Sequence, residues 1–305
     1  MNIAVIRRPY DQPDAPDEVG AFVAQLIAGL IAHGETVVIS DEPEMIAYAA
    51  QVGLAQYTTG DLRIMSYKSM RDLVGVAIVV GGDGTMLQAM KNLRGVPVLG
   101  INMGYLGFIT DVPLNFPIQD LLEMLNLHVE CEKRTMLVEQ RFTHSPEAVH
   151  ALNDVVISRH GGRIITFNVN IDGEFAYKAR GDGVMISTPT GSTAYAMAAG
   201  GSIVVPTAQV FEVVPMFPQT MSHRPLIVSD DSVIEVEVTT GTADVFFDGV
   251  PVGILQAGEI SSFSVVKAPT KALILHPNHP KLKYSYFNTL RTKLNWQHVP
   301  GTVRI

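Results

Sequence analysis

An α/β domain followed by a β-rich domain is the fold class that this sequence predicts, and three observations carry it. Val76-Ala77-Ile78-Val79-Val80 is an unbroken, β-branched apolar run. Such a run forms a strand buried on both faces, as in a parallel sheet. Strand-like and helix-like segments alternate through the first third of the chain, which points to a parallel, Rossmann-like sheet. From Arg134 onward the pattern changes to short β-like segments divided by Asp172-Gly173, Thr240-Gly241 and Asp248-Gly249. These dipeptides are hairpin signals, so the second part is antiparallel. The expected division is residues 1–133 as the α/β domain, 134–283 as the β-rich domain and 284–305 as a tail returning to the first.

Taken in order, Ile3 to Ile6 reads as a first strand. Asp17 to Ala32 carries helical apolar spacing and stops at His33-Gly34, where glycine suits a helix C-terminus. Thr36–Ile39 is a short strand and Glu42–Val52 a helix, while 56–69 gives no clear pattern. After the Val76–Val80 strand comes Gly81-Gly82-Asp83-Gly84-Thr85, then the helix formers Met86 to Lys91. Val96–Gly100 is another strand, and Phe116–His128 a helix. The β-like segments that follow are 148–158, 164–171, 184–187, 225–228, 233–239, 245–247, 260–267 and 273–275. Tyr284 to Trp296 is again helix-like.

Composition sets limits on function. The 305 residues are 47% apolar and 17% charged, enough for a sizeable core. A net charge of −8 and the lack of any Lys/Arg run argue against a nucleic-acid partner. An anionic substrate would need local amide nests, a few cations or a metal ion. A single cysteine, Cys131, excludes an internal disulfide and fits a reducing cytoplasm. Its acidic neighbours Glu130 and Glu132 disfavour a catalytic thiolate. The N-terminus does not have the pattern of a signal peptide, and no apolar stretch approaches the roughly 20 residues that span a bilayer, so no membrane partner is expected.

The Gly81–Thr85 turn joins a strand to a helix, so it gathers free N–H groups at the positive end of a helix dipole. Glycine there lets a phosphate approach the backbone. Asp83 is the anomaly, because a carboxylate repels phosphate. It is either a base or orienting group for a hydroxyl nucleophile, or a local cap in a tight turn. Asn102-Met103-Gly104-Tyr105-Leu106-Gly107-Phe108 also follows a strand, at the end where parallel sheets bind ligands. Its aromatics could stack on a base or pack the loop.

A second constellation is Arg180-Gly181-Asp182-Gly183 through Ser187-Thr188-Pro189-Thr190-Gly191-Ser192-Thr193-Ala194-Tyr195. Small side chains admit a flat ligand, and hydroxyls beside an apolar strand need partners. Ser192 or Thr193 could cap a helix over 194–199, and Tyr195 could stack. Asn153-Asp154 interrupts an apolar stretch and is either a bulge or a grip for a ribose or base. His276 and His279 are split by prolines with no third ligand evident, so no metal-ligating residues are assigned. Rossmann, P-loop and nucleophile-elbow motifs are absent.

Together, in order and approximate spacing, these four segments resemble the ATP-NAD kinase family in its bacterial, proteobacterial-type form, and the 284–296 stretch resembles the tail of those members. The resemblance covers nearly the whole chain and implies the NAD kinase fold. It implies phosphoryl transfer from ATP to the 2′-hydroxyl of NAD's adenosine ribose, with Mg²⁺ or another divalent metal accompanying ATP. It places Asp83 at the acceptor hydroxyl and gives Gly82, Gly84 and Thr85 to phosphates. Asn153 and Asp154 would bind the ribose and base of NAD; many members have glutamate where Asp154 stands. Thr190, Thr193, Ala194 and Tyr195 would line the adenine, Phe108 would pack near it, and Asp182 would approach the nicotinamide. Arg180 matches an arginine that goes with preference for NAD over NADH. Members are homodimers or homotetramers with the NAD site completed across subunits. Two rivals are a lipid or sphingoid-base kinase, which would need an apolar channel, and a catalytically silent dinucleotide-binding regulator, which would not need Asp83.

Overall fold

The computed structural model describes residues 1–7, 18–54, 60–104, 107–126, 130–145 and 148–296. The chain divides into two compact units, residues 1–132 with 273–305, and residues 133–272.

The first unit begins with β1 (Asn2–Arg7), α1 (Glu18–Ala32), β2 (Thr36–Ser40), α2 (Pro43–Gln51), β3 (Leu62–Met65) and α3 (Tyr67–Leu73). It continues through β4 (Val76–Gly81), α4 (Asp83–Asn92), β5 (Pro97–Asn102), β6 (Val112–Pro113), α5 (Ile118–Asn126) and β7 (Glu130–Arg134). The helical spacing of α1 buries Val23, Leu26, Ile27 and Leu30 completely against the sheet. The helix ends as its sequence indicates, at Gly34 with φ of 86°. The stretch that gave no sequence pattern contains β3 and α3; Ser66 caps α3 by accepting from the Ser69 N–H. Every residue of β4 is buried, as its apolar run requires.

Sheet order is β3-β2-β1-β4-β5, and the pairs among these strands are parallel. Chain order reverses direction between β1 and β4, which makes the carboxyl ends of those two strands a topological switch point. The sheet continues through β20 (Ala272–His276) and β7. This corrects one expectation. The 273–275 segment belongs to the parallel sheet, pairing Leu273 with Pro97, and not to the β-rich unit. The chain therefore re-enters the first unit at Leu273, ahead of the expected boundary at 284. So short an apolar run carries no sign of which sheet will take it. The tail contains the small ladder β21 (Asn278–His279) with β22 (Leu282–Lys283), then α7 (Tyr286–Lys293), capped by Ser285.

The second unit is a sandwich of two antiparallel sheets. One has the order β15-β14-β13-β10-β17-β18, the other β12-β11-β16-β19-β8-β9. The strands are β8 (Leu137–Glu139), β9 (His150–Ala151), β10 (Asp154–Arg159), β11 (Ile165–Ile171), β12 (Glu174–Gly181) and β13 (Gly183–Ser187). They continue as β14 (Val210–Met216), β15 (Leu226–Ser229), β16 (Ile234–Thr240), β17 (Thr242–Phe247), β18 (Val250–Gln256) and β19 (Ser262–Lys267). Alternate residues of β16 and β17 point inward, and Phe167, Phe211 and Phe247 fill the shared core. The short helix α6 (Tyr195–Ala198) covers the other face of β13 and β14, with Ala196 against Met185 and Val214. Strands β12, β14 and β18 were not expected. Most of β12 is exposed, β14 carries Glu212 and Pro215 inside an apolar run, and β18 contains Pro251 and Gly253.

In the first unit, buried His276 ties the returning strand down. Its Nδ1 lies 2.6 Å from Asp111 Oδ2 and its Nε2 2.6 Å from Glu132 Oε2, and Tyr284 stacks on its ring. Burial works against the imidazolium, yet the two carboxylates outweigh it and raise the His276 pKa. A raised folded pKa means that the stabilisation is fully present below the unfolded value near 6.5 and is lost as pH rises through the folded value. His276→Gln should cost on the order of 3 kcal/mol, since it removes the cation shared by buried Asp111 and half-buried Glu132. Denaturant unfolding at several pH values checks this: the gap from wild type should be widest below about pH 6.5 and should narrow only as pH rises through the raised folded value. A gap that grows with pH contradicts the pairing.

Candidate active site

In the first unit the Gly81–Thr85 turn stands at the switch point. Gly82 is extended and precedes α4, so the first N–H groups of that helix lack intrahelical acceptors. The glycines differ in cause. A Cβ on Gly81 would sit 2.5 Å from the Thr85 hydroxyl, so internal packing requires glycine there. At Gly82 and Gly84 a Cβ would meet nothing within 4 Å, and neither φ is positive. Nothing inside the fold demands those two glycines. Both line a cleft of about 400 Å³ with Arg7, Glu42, Tyr67, Thr85 and Gln88. The cleft offers free helix-start amides and a guanidinium, the donors that a polyphosphate needs. Arg7, Glu42, Tyr67 and Gln88 line this candidate site without a sequence signal; they come from four separate segments and share no motif.

Asp83, half-buried at the first position of α4, sits between two lining residues of that cleft, but its carboxylate is turned toward the loop after β5. Its Oδ2 accepts from the Phe108 N–H at 2.9 Å, and its Oδ1 from the Ile109 N–H at 3.2 Å and the Thr110 hydroxyl at 3.1 Å. Asp83 thus pins the loop that follows β5. Gly107 is explained by the same contact, because any Cβ there would collide with Asp83 Oδ1 and the Thr110 hydroxyl. A carboxylate has about four acceptor directions. Among the described residues three are used, and the remaining one is on Oδ2. The aromatic of this loop that is described, Phe108, is half-buried, with the Lys293 ammonium 5.6 Å from its ring centre. Tyr105 and Leu106 lie outside the described residues.

In the second unit the hydroxyl-rich segment is folded around Asn153. The Thr188 N–H donates to Asn153 O at 2.9 Å, the Thr188 hydroxyl donates to Leu152 O, and the Gly191 N–H donates back to the Thr188 hydroxyl at 3.2 Å. Gly191 must be glycine because a Cβ would strike Asn153 O. Ser192 does not cap a helix. It is buried, donating to Pro189 O and accepting from the Val204 N–H at 3.0 Å. The segment 191–193 is a 3-10 turn, and Ala194 precedes α6 with no side-chain acceptor to offer, so the expected Ser/Thr cap is absent. Thr190 is buried and accepts from Arg134 Nη1 at 3.2 Å; Thr193 and Ala194 are half-buried; Tyr195 is exposed, its ring open to a ligand.

Asn153 and Asp154 sit where the chain passes from β9 in one sheet to β10 in the other. What fixes them is Asp248. Its Oδ1 accepts from the N–H groups of Asn153 at 2.8 Å and Asp154 at 3.0 Å, and its Oδ2 from Leu152 N–H at 2.9 Å. Asp248 was read only as half of a turn signal. It does make the turn, with φ of 47° before Gly249 at 77°, but its carboxylate also fills a nest of three successive amides. The Asp-Gly pair was the available signal, and the turn alone seemed to account for it.

Other predicted residues are placed differently. Gly181 and Gly183 serve a strand crossing: a Cβ on Gly181 would lie 2.8 Å from Phe217 O, and one on Gly183 would strike Ile157 O. Asp182 pairs with Arg159 at 2.9 Å, and Arg180 is exposed on β12. Glu212, another residue without a sequence signal, is buried under the Gly200–Ser202 bend and accepts from the Ser202 N–H at 2.7 Å. Burial raises its pKa, with the Ser202 bond pulling the other way. In the first unit, His279 does have companions: Asp120 and Glu123 of α5 bring ligand atoms within 4.8 Å of one another with it. The Lys281 ammonium already occupies Asp120 at 2.6 Å.

A Rossmann-type sheet with an acid-bearing phosphate turn at its switch point defines a class, the nucleotide-dependent phosphotransferases. Comparison with known proteins makes this specific. The family model described as the ATP-NAD kinase N-terminal domain matches residues 30–131, and that of the ATP-NAD kinase C-terminal domain matches 152–276. An NAD kinase of Neisseria gonorrhoeae is 37% identical over 306 residues, covering 97% of this chain and 96% of its own. One from Thiobacillus denitrificans is 38% identical over 282 residues, covering 90% and 92%. Among solved structures, yeast NADH kinase complexed with NADH superposes with a TM-score of 0.80 at 22% identity, covering 100% of this chain and 89% of its own. An Archaeoglobus fulgidus NAD kinase in complex with ATP gives 0.71 at 23% identity, covering 97% and 99%; both share the fold. The chain belongs to the ATP-NAD kinase family.

Asp248 yields a prediction. Asn tolerates the left-handed backbone at this position, so Asp248→Asn should keep the turn and the fold. It removes the charge and presents an amide to N–H donors. The KM for NAD should rise about tenfold or more, equivalent to roughly 1.4 kcal/mol, with the KM for ATP unchanged. Steady-state kinetics with each substrate varied in turn checks this; equal effects on both would contradict it.

Proposed function

We propose that this protein transfers the terminal phosphoryl group of ATP to the 2′-hydroxyl of the adenosine ribose of NAD, giving NADP and ADP. The observation that carries this reading is Asp83, a fixed carboxylate at the helix-start amides of a phosphate-type turn, with one acceptor direction on Oδ2 left unfilled among the described residues. Membership of the ATP-NAD kinase family supports it over the lipid kinase and the silent regulator.

In this reading the amides of Gly82, Gly84 and Thr85, with Arg7, hold the donor phosphates, and the two unconstrained glycines leave room for them. Asp83 accepts the proton of the 2′-hydroxyl as the bond from that oxygen to phosphorus forms. The bond from phosphorus to the bridging oxygen of ADP breaks in line. Asn153 and Asp154 hold the ribose and base of NAD. Thr190, Thr193, Ala194 and the exposed ring of Tyr195 line the adenine, with Phe108 near it. Asp182 serves the nicotinamide end. Glu42 is a carboxylate of the cleft lining and would hold the water shell of Mg²⁺. When bound with ATP it neutralises charge on the phosphates. The protein works in the cytoplasm as a homodimer or homotetramer, an arrangement drawn from family resemblance. No helix of the described residues is long and apolar enough to cross a membrane.

Purified protein with Mg²⁺, ATP and NAD should form NADP, read by an NADP-specific dehydrogenase; no NADP across conditions sinks the proposal. Asp83→Asn should cut turnover by about a hundredfold or more while NAD still binds, and full activity would exclude Asp83 as an essential base. Arg180 supports a preference for NAD over NADH as acceptor. Unequal kcat/KM for the two, in favour of NAD, is the expected result, and equal efficiency would refute it.

A further inference from the structure

Thr110 is not part of any phosphate or dinucleotide contact described above, yet it is fully buried beside Asp83. Its hydroxyl donates to Asp83 Oδ1 at 3.1 Å. The same hydroxyl accepts from Asn102 Nδ2 at 3.3 Å, so its proton is directed away from Asn102 and toward the carboxylate. Asn102 is itself buried at the end of β5, with its Oδ1 held by the Gly104 N–H at 3.0 Å.

Sterics close off other arrangements. A Cβ on Gly100 would lie 3.0 Å from both the Thr110 Cα and its methyl, so that strand runs directly against the methyl group. A Cβ on Gly107 would collide with the hydroxyl. Threonine is stiff at χ1, and a methyl packed on one side fixes where the hydroxyl points. Two glycines, one amide side chain and one methyl thus hold a single O–H vector.

We infer that Thr110 is a positioning residue of the phosphoryl-transfer reaction: it fixes the rotation of the Asp83 carboxylate so that the open direction on Oδ2 meets the acceptor hydroxyl. This rests on the reading of Asp83 as the group that receives the hydroxyl proton. Oδ1 is filled by Thr110 and the Ile109 N–H, which leaves Oδ2 as the oxygen available to substrate. The Phe108 and Ile109 amides alone belong to a loop, and loops yield; the buried threonine adds a donor anchored to the sheet. Near-attack alignment of this kind changes rate rather than substrate affinity.

The test compares wild type with Thr110→Val, Thr110→Ala and Thr110→Ser. Each is measured for kcat, KM of both substrates, NAD Kd by calorimetry and melting temperature. Wild type must form NADP; if it does not, the kinase reading fails and not this inference alone. With active wild type, Thr110→Val should lower kcat about tenfold or more, with KM values and the NAD Kd within about twofold. Thr110→Ser, which keeps the hydroxyl, should recover most of the loss. Should the valine variant not fold, alanine is read in its place. A kcat within about twofold of wild type overturns the inference. So does a serine variant as poor as valine, which would mean that the methyl packing mattered and the hydroxyl did not. A rise in KM with kcat unchanged overturns it as well.

Discussion

One carboxylate, that of Asp83, links the two glycine-rich segments of the first unit. It stands at the start of α4 and takes hydrogen bonds from Phe108, Ile109 and Thr110, the segment that follows β5. The turn after one central strand and the loop after its neighbour are therefore a single structure. Gly107 is glycine because that contact leaves no room, and Gly81 because Thr85 folds back on it. Gly82 and Gly84 answer to neither, and they are the ones that open onto the cleft. Sorting glycines by what a Cβ would meet separates those that the fold requires from those that a ligand would require.

The second unit uses the same device. Asp248 fills a nest of amides at Leu152, Asn153 and Asp154, as Asp83 does at Phe108 and Ile109. In both places an acidic side chain takes consecutive backbone donors and sets the shape of a segment proposed to bind ligand. Charge-assisted bonds of this type are stronger than neutral ones, which suits loops that must hold position without sheet pairing. The hydroxyls of Thr188 and Ser192 do similar work inside the loop, binding backbone groups at 152, 189 and 204. Much of the hydroxyl-rich composition is thus internal scaffolding. The residues left facing outward are Thr193, Ala194 and above all Tyr195.

Local pattern made a good part of this legible. The Val76–Val80 run, the α1 spacing with its glycine stop and the hairpin signals each contain their own physical cause within a few residues. So did the four motifs, whose joint order carried the family. What stayed hidden was what depends on distant partners. The strand at Ala272–His276 has no local mark that assigns it to the parallel sheet. Asp248 looked like a turn residue because the amides it serves lie nearly a hundred positions earlier. Arg7, Glu42, Tyr67 and Gln88 meet only because strand ends converge at the switch point. Ser192 was one of two candidate caps, but burial commits its hydroxyl to Pro189 and Val204.

The most direct measurement is a crystal structure of the protein with NAD and a non-hydrolysable ATP analogue. The expected result has Asp83 Oδ2 at about 3 Å from the adenosine ribose 2′-hydroxyl, with the bonds from Phe108, Ile109 and Thr110 intact. The analogue's terminal phosphate should face the amides of Gly82 and Gly84. A bound NAD whose 2′-hydroxyl lies beyond reach of Asp83, or an Asp83 that has let go of its three donors to meet it, would contradict the central role given to this carboxylate.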